Sequence, residues 1–123
     1  MDESLNLLGE TLKECGRDPI TGFYRNGCSE TGTEDLGLHT VCVRMTSDFL
    51  KLSKSRCNDL STTRPEFGFE GLKPRDRWCL CAARWQEAYD SGMAPDVFLE
   101  FTHQATLKII ELGNLQKHTD DVN

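Results

Sequence analysis

Apolar and polar residues alternate most clearly in two short stretches of the chain. In HTVCVRM, at residues 39–45, the apolar residues at odd-numbered positions share one face of a predicted strand, and Cys42 lies on the other face. In RWCLC, at residues 77–81, the same alternation places the pair Cys79 and Cys81 on the face opposite the apolar residues. The pattern therefore predicts two strands that each carry cysteine on one side.

The second stretch also fits a single long helix that begins after Asp76. Positions 78, 81, 82, 85, 88 and 89 then form a stripe with helical spacing. We favour a strand over residues 77–81 followed by a helix that ends at Gly92, because one long helix would leave too few strands for a sheet.

Local signals predict the remaining elements. Thr46 is a predicted N-cap for a helix with an acidic first turn and a basic last turn. Residues 96–101 (DVFLEF) predict a third strand, and Thr102 then caps a helix over residues 103–112. Residues 5–12 predict a weak or edge strand.

These elements predict one α+β domain over residues 1–123, with a core at about 5–118 and a frayed tail at 119–123. We expect a two-layer sandwich: a small mixed sheet of about three or four strands, covered on one face by about two or three helices. An apolar content of 37% is enough to build a core of this kind.

Two long loops, at residues 15–37 and 58–76, are rich in glycine and proline. Their aromatic residues can pack them against the sheet, and loops of this length in a compact domain are often functional. We therefore expect a pocket between them, lined by the ligand-binding candidates Arg25, Asp35, His39 and Arg64, with Cys79 and Cys81 at its floor or behind it. A small anionic metabolite or a protein partner would bind there, and the alternative is that both loops are inert.

Charge and hydropathy exclude several classes of partner. With 14 basic and 20 acidic residues, the net charge is −6, which disfavours nucleic acid. No apolar run approaches the ~20 residues that cross a bilayer, so we expect no membrane association. The start MDESLNLLGE does not resemble a secretory signal, and we expect a cytoplasmic protein.

Six cysteines are many for a cytoplasmic chain of 123 residues. In a reducing compartment we expect mostly free, structural thiols. The spacing of Cys79 and Cys81 is typical of neither a zinc site nor a thioredoxin-like motif, and His39 and Cys42 would face opposite sides of a strand. We therefore expect no bound metal.

A thiol-dependent enzyme, redox or nucleophilic, is the alternative to a binding domain. Its candidate catalytic residues are Cys28, His39, Cys79, Cys81 and His103. A structural role at a helix start is the simpler interpretation of His103. The motifs of the common cofactors do not occur, so we expect none.

Two strings of the sequence carry a family resemblance: DPITGFYRNGC, and the run from GLHTVCVRM to DVFLEFTH that contains RPEFGFEGLKPRDRWCLCAARW. Over about residues 5–112 the chain resembles a family of small proteins, found in bacteria and some eukaryotes, known as domain of unknown function two-two-three-seven. The resemblance implies a compact two-layer α+β fold and no established activity. Glycine is usual in that family where this chain has Cys57, which implies no family-wide role for this cysteine and disfavours three disulfides.

Overall fold

A computed structural model describes residues 4–17, 21–56, 59–62 and 71–119 of the chain. Its strands are β1 (Val41–Arg44), β2 (Arg77–Leu80) and β3 (Asp96–Val97). Its α-helices are α1 (Ser47–Ser55), α2 (Ala82–Asp90) and α3 (Leu112–Gln116). Two 3-10 helices span Leu99–Phe101 and Gln104–Lys108.

The three strands form one sheet in the order β2-β1-β3. β1 is antiparallel to both neighbours, with Val41 opposite Leu80 and Val43 opposite Val97. The predicted α+β class is confirmed, whereas the predicted mixed sheet is wrong because both strand pairs are antiparallel. The strand-then-helix interpretation of residues 77–90 is confirmed.

The alternation of β1 and β2 gives the sheet one strongly apolar face, which we call the helix face. Val41, Val43, Trp78 and Leu80 on this face are buried in one cluster with apolar residues of α1, α2 and α3. Trp85 of α2 is fully buried in it, and its indole Nε1 donates a hydrogen bond to the Pro95 carbonyl at 3.0 Å.

Two helix-end predictions are confirmed. Thr46 is the N-cap of α1, and its hydroxyl oxygen accepts a hydrogen bond from the Phe49 N–H at 3.1 Å. The chain leaves α2 at Ser91 and Gly92, where Gly92 has a φ of 76°. Glycine adopts this left-handed backbone without the strain that a side chain would add.

The third predicted strand is much shorter than residues 96–101. β3 ends at Val97, because the Thr102 side chain takes over the pairing with β1: its hydroxyl accepts from the Cys42 N–H at 3.0 Å and donates to the Phe98 carbonyl at 2.9 Å. Hydrogen bonds from a side chain to the backbone compete in this way with regular strand pairing. The chain then turns into the first 3-10 helix.

The predicted helix over residues 103–112 is also wrong in extent and in its cap. A 3-10 helix of five residues stands there, and His103 caps it, with the ring Nδ1 accepting from the Ala105 N–H at 2.9 Å. Residues 5–12 form no regular strand, only isolated bridges.

Of the tail predicted to fray, Thr119 bridges to Val97, and residues 120–123 lie outside the described part. No helix among the described residues is long and apolar enough to cross a membrane.

Candidate functional site

The face of the sheet opposite the helices carries Cys42 and Cys79, which are paired across β1 and β2. We call it the loop face, because segments outside the regular elements cover it. Thr21 accepts the Cys79 backbone N–H at 2.8 Å, and the guanidinium of Arg77 lies over the Phe98 ring at 4.7 Å. Cys42 and Cys79, predicted to lie on one side of the strands, are therefore buried beneath the first long loop and its neighbours, whereas Cys81 follows the end of β2 and is partly exposed.

A disulfide joins Cys15 to Cys42 across 27 residues of sequence, with both residues fully buried. Cys28, Cys79 and Cys81 are free, and Cys57 lies outside the described residues. The expectation of free thiols is thus correct for three of the described cysteines and wrong for Cys15 and Cys42. Nothing in their local sequence marks this pair, because only the fold brings residues so distant in sequence together.

The thiols of Cys79 and Cys28 are held in the protonated form. Burial raises the pKa of Cys79 to about 11, although the Ser29 hydroxyl donates a hydrogen bond to its sulfur at 2.8 Å. Burial, followed by the charges of Glu30 and Glu14, also raises the pKa of Cys28. Neither residue is therefore a ready nucleophile at neutral pH.

Asp35 and His39 form the best-defined polar pair of the first long loop. Asp35 Oδ1 lies 2.7 Å from His39 Nδ1, and Asp35 Oδ2 accepts the His39 backbone N–H at 2.8 Å. The Thr31 hydroxyl donates to the same Oδ2 at 3.1 Å. The Asp35 side chain is completely buried, whereas 40% of the His39 side chain is exposed. A buried carboxylate thus fixes a histidine that reaches solvent.

Cys81 adjoins this pair at the end of β2. It is the N-cap of α2 and is partly exposed. The next residue, Ala82, donates its N–H to the Leu38 carbonyl at 3.0 Å, which ties the start of α2 to the residue before His39. A Cβ atom placed on Gly37 would lie 3.1 Å from His39 Cε1 and 3.5 Å from Cys81 Sγ. Imidazole and thiol therefore flank the same small space, and we call this the Asp35–His39–Cys81 site.

The backbone around the site is constrained. Leu38 has a φ of 50°, a left-handed conformation that is uncommon for a branched side chain and is usually maintained only by surrounding contacts. The Phe23 ring stacks on the His39 ring, with centroids 5.9 Å apart and an interplanar angle of 28°. Phe23 therefore packs on the imidazole, whereas Tyr24, which was also expected to pack the loop against the sheet, is exposed.

The other candidates of the sequence are placed elsewhere. His103 is engaged as a helix cap, and burial lowers its pKa, so that it is neutral at physiological pH. This agrees with its structural interpretation. Arg25 is exposed, with Nη1 donating to the Gly22 carbonyl at 2.8 Å and its guanidinium 5.4 Å from the Trp78 ring centroid. Arg64 lies outside the described residues.

The predicted pocket between the two long loops stays a prediction, because residues 63–70 of the second loop lie outside the described part. A shallow concavity of about 400 Å³ lies elsewhere, beside α2. Its lining includes Arg56, Gln86, Glu87 and Ile109. This concavity is open to solvent and shares no residue with the Asp35–His39–Cys81 site.

The described residues contain no group of three or more His, Cys, Asp or Glu side chains arranged to hold a metal ion. Of the zinc pair considered from the sequence, Cys42 is bonded to Cys15, and His39 Nδ1 is paired with Asp35. The absence of metal and cofactor stays a prediction.

A family model described as "Uncharacterized protein conserved in bacteria (DUF2237)" matches residues 5–119. The chain belongs to the DUF2237 family. The match confirms the resemblance carried by the sequence and extends a few residues beyond it. A comparison with curated proteins finds no match. DUF2237 therefore supplies a family but no activity, and function has to be argued from the site.

Sequence reasoning named all three residues of the site but did not connect them. Asp35 was a candidate for ligand binding, whereas its carboxylate is occupied by His39 and Thr31. The four-residue spacing of Asp35 and His39 was an available signal. Their proximity to Cys81 depends on the pairing of β1 with β2, which the sequence does not specify.

Proposed function

We propose that this DUF2237 protein is a thiol-dependent enzyme in which Cys81 is the nucleophile, His39 the general base and Asp35 the residue that orients the base. One observation carries the proposal: a buried carboxylate holds an exposed imidazole whose ring borders the same space as a partly exposed thiol. Nucleophile, base and orienting acid in this order are the parts that covalent catalysis by cysteine requires.

The free cysteines differ in ways that favour Cys81. Cys79 is buried, with its pKa raised to about 11, and the pKa of Cys28 is raised as well. Cys81 alone of the described free thiols adjoins a histidine paired with a carboxylate, and it stands at the N-terminus of the nine-residue helix α2.

The tautomer of His39 follows from its partner. With Asp35 Oδ1 accepting the N–H of Nδ1, the lone pair of the ring lies on Nε2. In the proposed first step Nε2 takes the proton of the Cys81 thiol, and the thiolate attacks an electrophilic carbon of a small substrate. Asp35 stabilises the resulting imidazolium, which returns the proton to the leaving group. Water then releases the product from the sulfur.

A binding domain for a small anion or a protein partner, located in the cytoplasm, is the second candidate. Arg25 favours it, because the guanidinium has further N–H donors beyond the one bonded to Gly22, and an exposed arginine suits bidentate contact with an anion. In that case the Asp35–His39 pair is a structural clamp of the loop. Arg25 also fits the enzyme proposal, as a residue that attracts an anionic substrate.

The rate at which iodoacetamide alkylates each cysteine distinguishes the two candidates. We expect Cys81 to react at pH 7 about tenfold or more faster than Cys28 in the same molecule, because His39 is positioned to accept the proton of the Cys81 thiol. His39→Gln and Asp35→Asn are expected to remove most of this difference. Peptide mass spectrometry after timed alkylation measures both sites at once.

His103→Gln is the matched control, since it removes a histidine that serves as a helix cap. It should leave the ratio of the Cys81 and Cys28 rates unchanged. Equal rates at the two cysteines, or a His39→Gln variant as reactive as the parent, would contradict the enzyme proposal. Anion binding that His39→Gln retains and Arg25→Ala loses would favour the binding domain.

A further inference from the structure

Cys42 has a second sulfur neighbour besides its disulfide partner. Cys79 stands directly opposite Cys42 in the antiparallel pair of β1 and β2. Cys15, Cys42 and Cys79 form one buried cluster, with Cys79 only 2% exposed. Three sulfur-bearing residues of the loop face are thus packed together, and one bond joins two of them.

The backbone hydrogen bonds show which kind of strand pair Cys42 and Cys79 form. The Cys42 carbonyl accepts from the Phe98 N–H at 3.0 Å, and the Cys42 N–H donates to Thr102. The Cys79 N–H donates to Thr21. The donors of both residues therefore point away from the partner strand, as in a non-hydrogen-bonded pair.

Non-hydrogen-bonded pairs of antiparallel strands have Cα atoms only about 4.5 Å apart, with their side chains close together on one face. That separation falls within the range spanned by disulfides, about 4.4–6.8 Å. A bond between Cys42 and Cys79 therefore requires no change of register and no strand movement.

We propose that Cys15, Cys42 and Cys79 form an internal thiol–disulfide exchange site. The Cys79 sulfur attacks Cys42 Sγ, the bond between Cys42 and Cys15 breaks, and a bond between Cys42 and Cys79 forms. The proton that leaves Cys79 ends on the Cys15 sulfur. Disulfide and thiol are each conserved in number, so the step needs no oxidant or reductant. None of the three residues belongs to the Asp35–His39–Cys81 site, and this inference stands apart from the proposed function.

The surroundings of Cys79 determine how fast its sulfur can exchange with the disulfide. The Ser29 hydroxyl donates to the sulfur and stabilises the thiolate, while burial acts against it. Exchange at neutral pH is therefore slow, and burial also slows, without preventing, attack by external thiols. The two forms differ in whether the segment at Cys15 is covalently attached to the sheet.

A variant without Cys15 tests whether Cys79 can take its place. Cys15→Ser, purified reduced and incubated in a buffer of glutathione and glutathione disulfide, should form the Cys42–Cys79 disulfide in most molecules. Acid quenching, digestion with pepsin at low pH and mass spectrometry identify the linked peptides without scrambling. The double variant Cys15→Ser/Cys28→Ser should keep the bridge, and Cys15→Ser/Cys79→Ser should lack it.

The wild-type protein provides a second measurement that does not depend on how the variant folds. After incubation in the same buffer, the digest of the wild type should contain the disulfide-linked Cys42–Cys79 peptides as a minor species beside the Cys15–Cys42 peptides. The digest of Cys79→Ser should lack this minor species. A folded Cys15→Ser that leaves Cys42 and Cys79 as thiols or glutathione adducts, or bridges Cys42 to Cys28, overturns the proposal. If Cys15→Ser does not fold, absence of the minor species from the wild type overturns it.

Discussion

The helix face and the loop face of the sheet are built from alternate residues of the same two strands, yet different forces hold them. On the helix face, Val43 and Trp78 pack with helix residues in an apolar cluster. On the loop face, Cys42 is bonded to Cys15 in a disulfide, and Cys79 forms hydrogen bonds with the hydroxyls of a serine and a threonine. The comparison teaches that apolar burial stabilises one face, while the other face concentrates groups that can react.

The largest effect expected is on the helix face. Trp85→Ala removes a fully buried indole and its hydrogen bond to Pro95, which should lower the free energy of unfolding by about 3–5 kcal/mol. Urea denaturation measures it. Leu36→Ala is the control, because that side chain is 92% exposed and its removal should cost less than about 0.5 kcal/mol. Similar losses in the two variants would show that the helix face is not the main source of stability.

The next largest effect is expected on the loop face, from the loss of its disulfide. Cys42→Ser removes the sulfur shared by the Cys15–Cys42 disulfide and the proposed Cys42–Cys79 disulfide, and opening a loop of 27 residues should cost about 3–4 kcal/mol. Thermal melts with and without dithiothreitol check this: the reductant should lower the Tm of the wild type and leave that of Cys42→Ser unchanged. A wild-type Tm that does not respond to a reductant under denaturing conditions would mean that no disulfide supports this face.

The two faces also differ in how much of their structure the sequence predicts. The alternation around Val43 and Leu80 was sufficient to predict both strands and their apolar side, because that signal is local. The sequence did not reveal that Thr102 would replace strand pairing after Val97, since its side-chain hydrogen bond to Cys42 exists only once the chain has folded. The disulfide and the meeting of His39 with Cys81 depend in the same way on contacts between distant segments.

A smaller effect should appear only at high pH. Burial raises the pKa of Cys79 from an ordinary value of 9.0 to about 11, so between these values the native state binds more protons than the unfolded state. The contribution of this thiol to the free energy of unfolding is therefore full below pH 9, and about 2–3 kcal/mol of it is lost as the pH rises to 11. Urea denaturation across this range should give a steeper decline for the wild type than for Cys79→Ser. Equal slopes would contradict the burial of this thiol.

The smallest effect concerns the hydroxyl groups of the loop face. Thr102→Val keeps the shape of the side chain but leaves the buried Cys42 N–H without its partner, which should cost about 1–2 kcal/mol. Thr33→Val, at an exposed position, is the matched control and should be close to neutral. Chemical denaturation of both variants makes the comparison, and a neutral Thr102→Val would show that strand pairing does not depend on this side chain.

The double contact of Asp35 with His39 has a consequence for motion. One carboxylate holds both the backbone N–H and the ring Nδ1 of the same residue, and Phe23 stacks on the ring. Rotation about both side-chain bonds of His39 is thereby restricted before any ligand arrives, so its rotational entropy is lost during folding. In NMR relaxation experiments the imidazole should reorient with the rigid backbone of the loop, and in Asp35→Asn it should move independently on the nanosecond timescale.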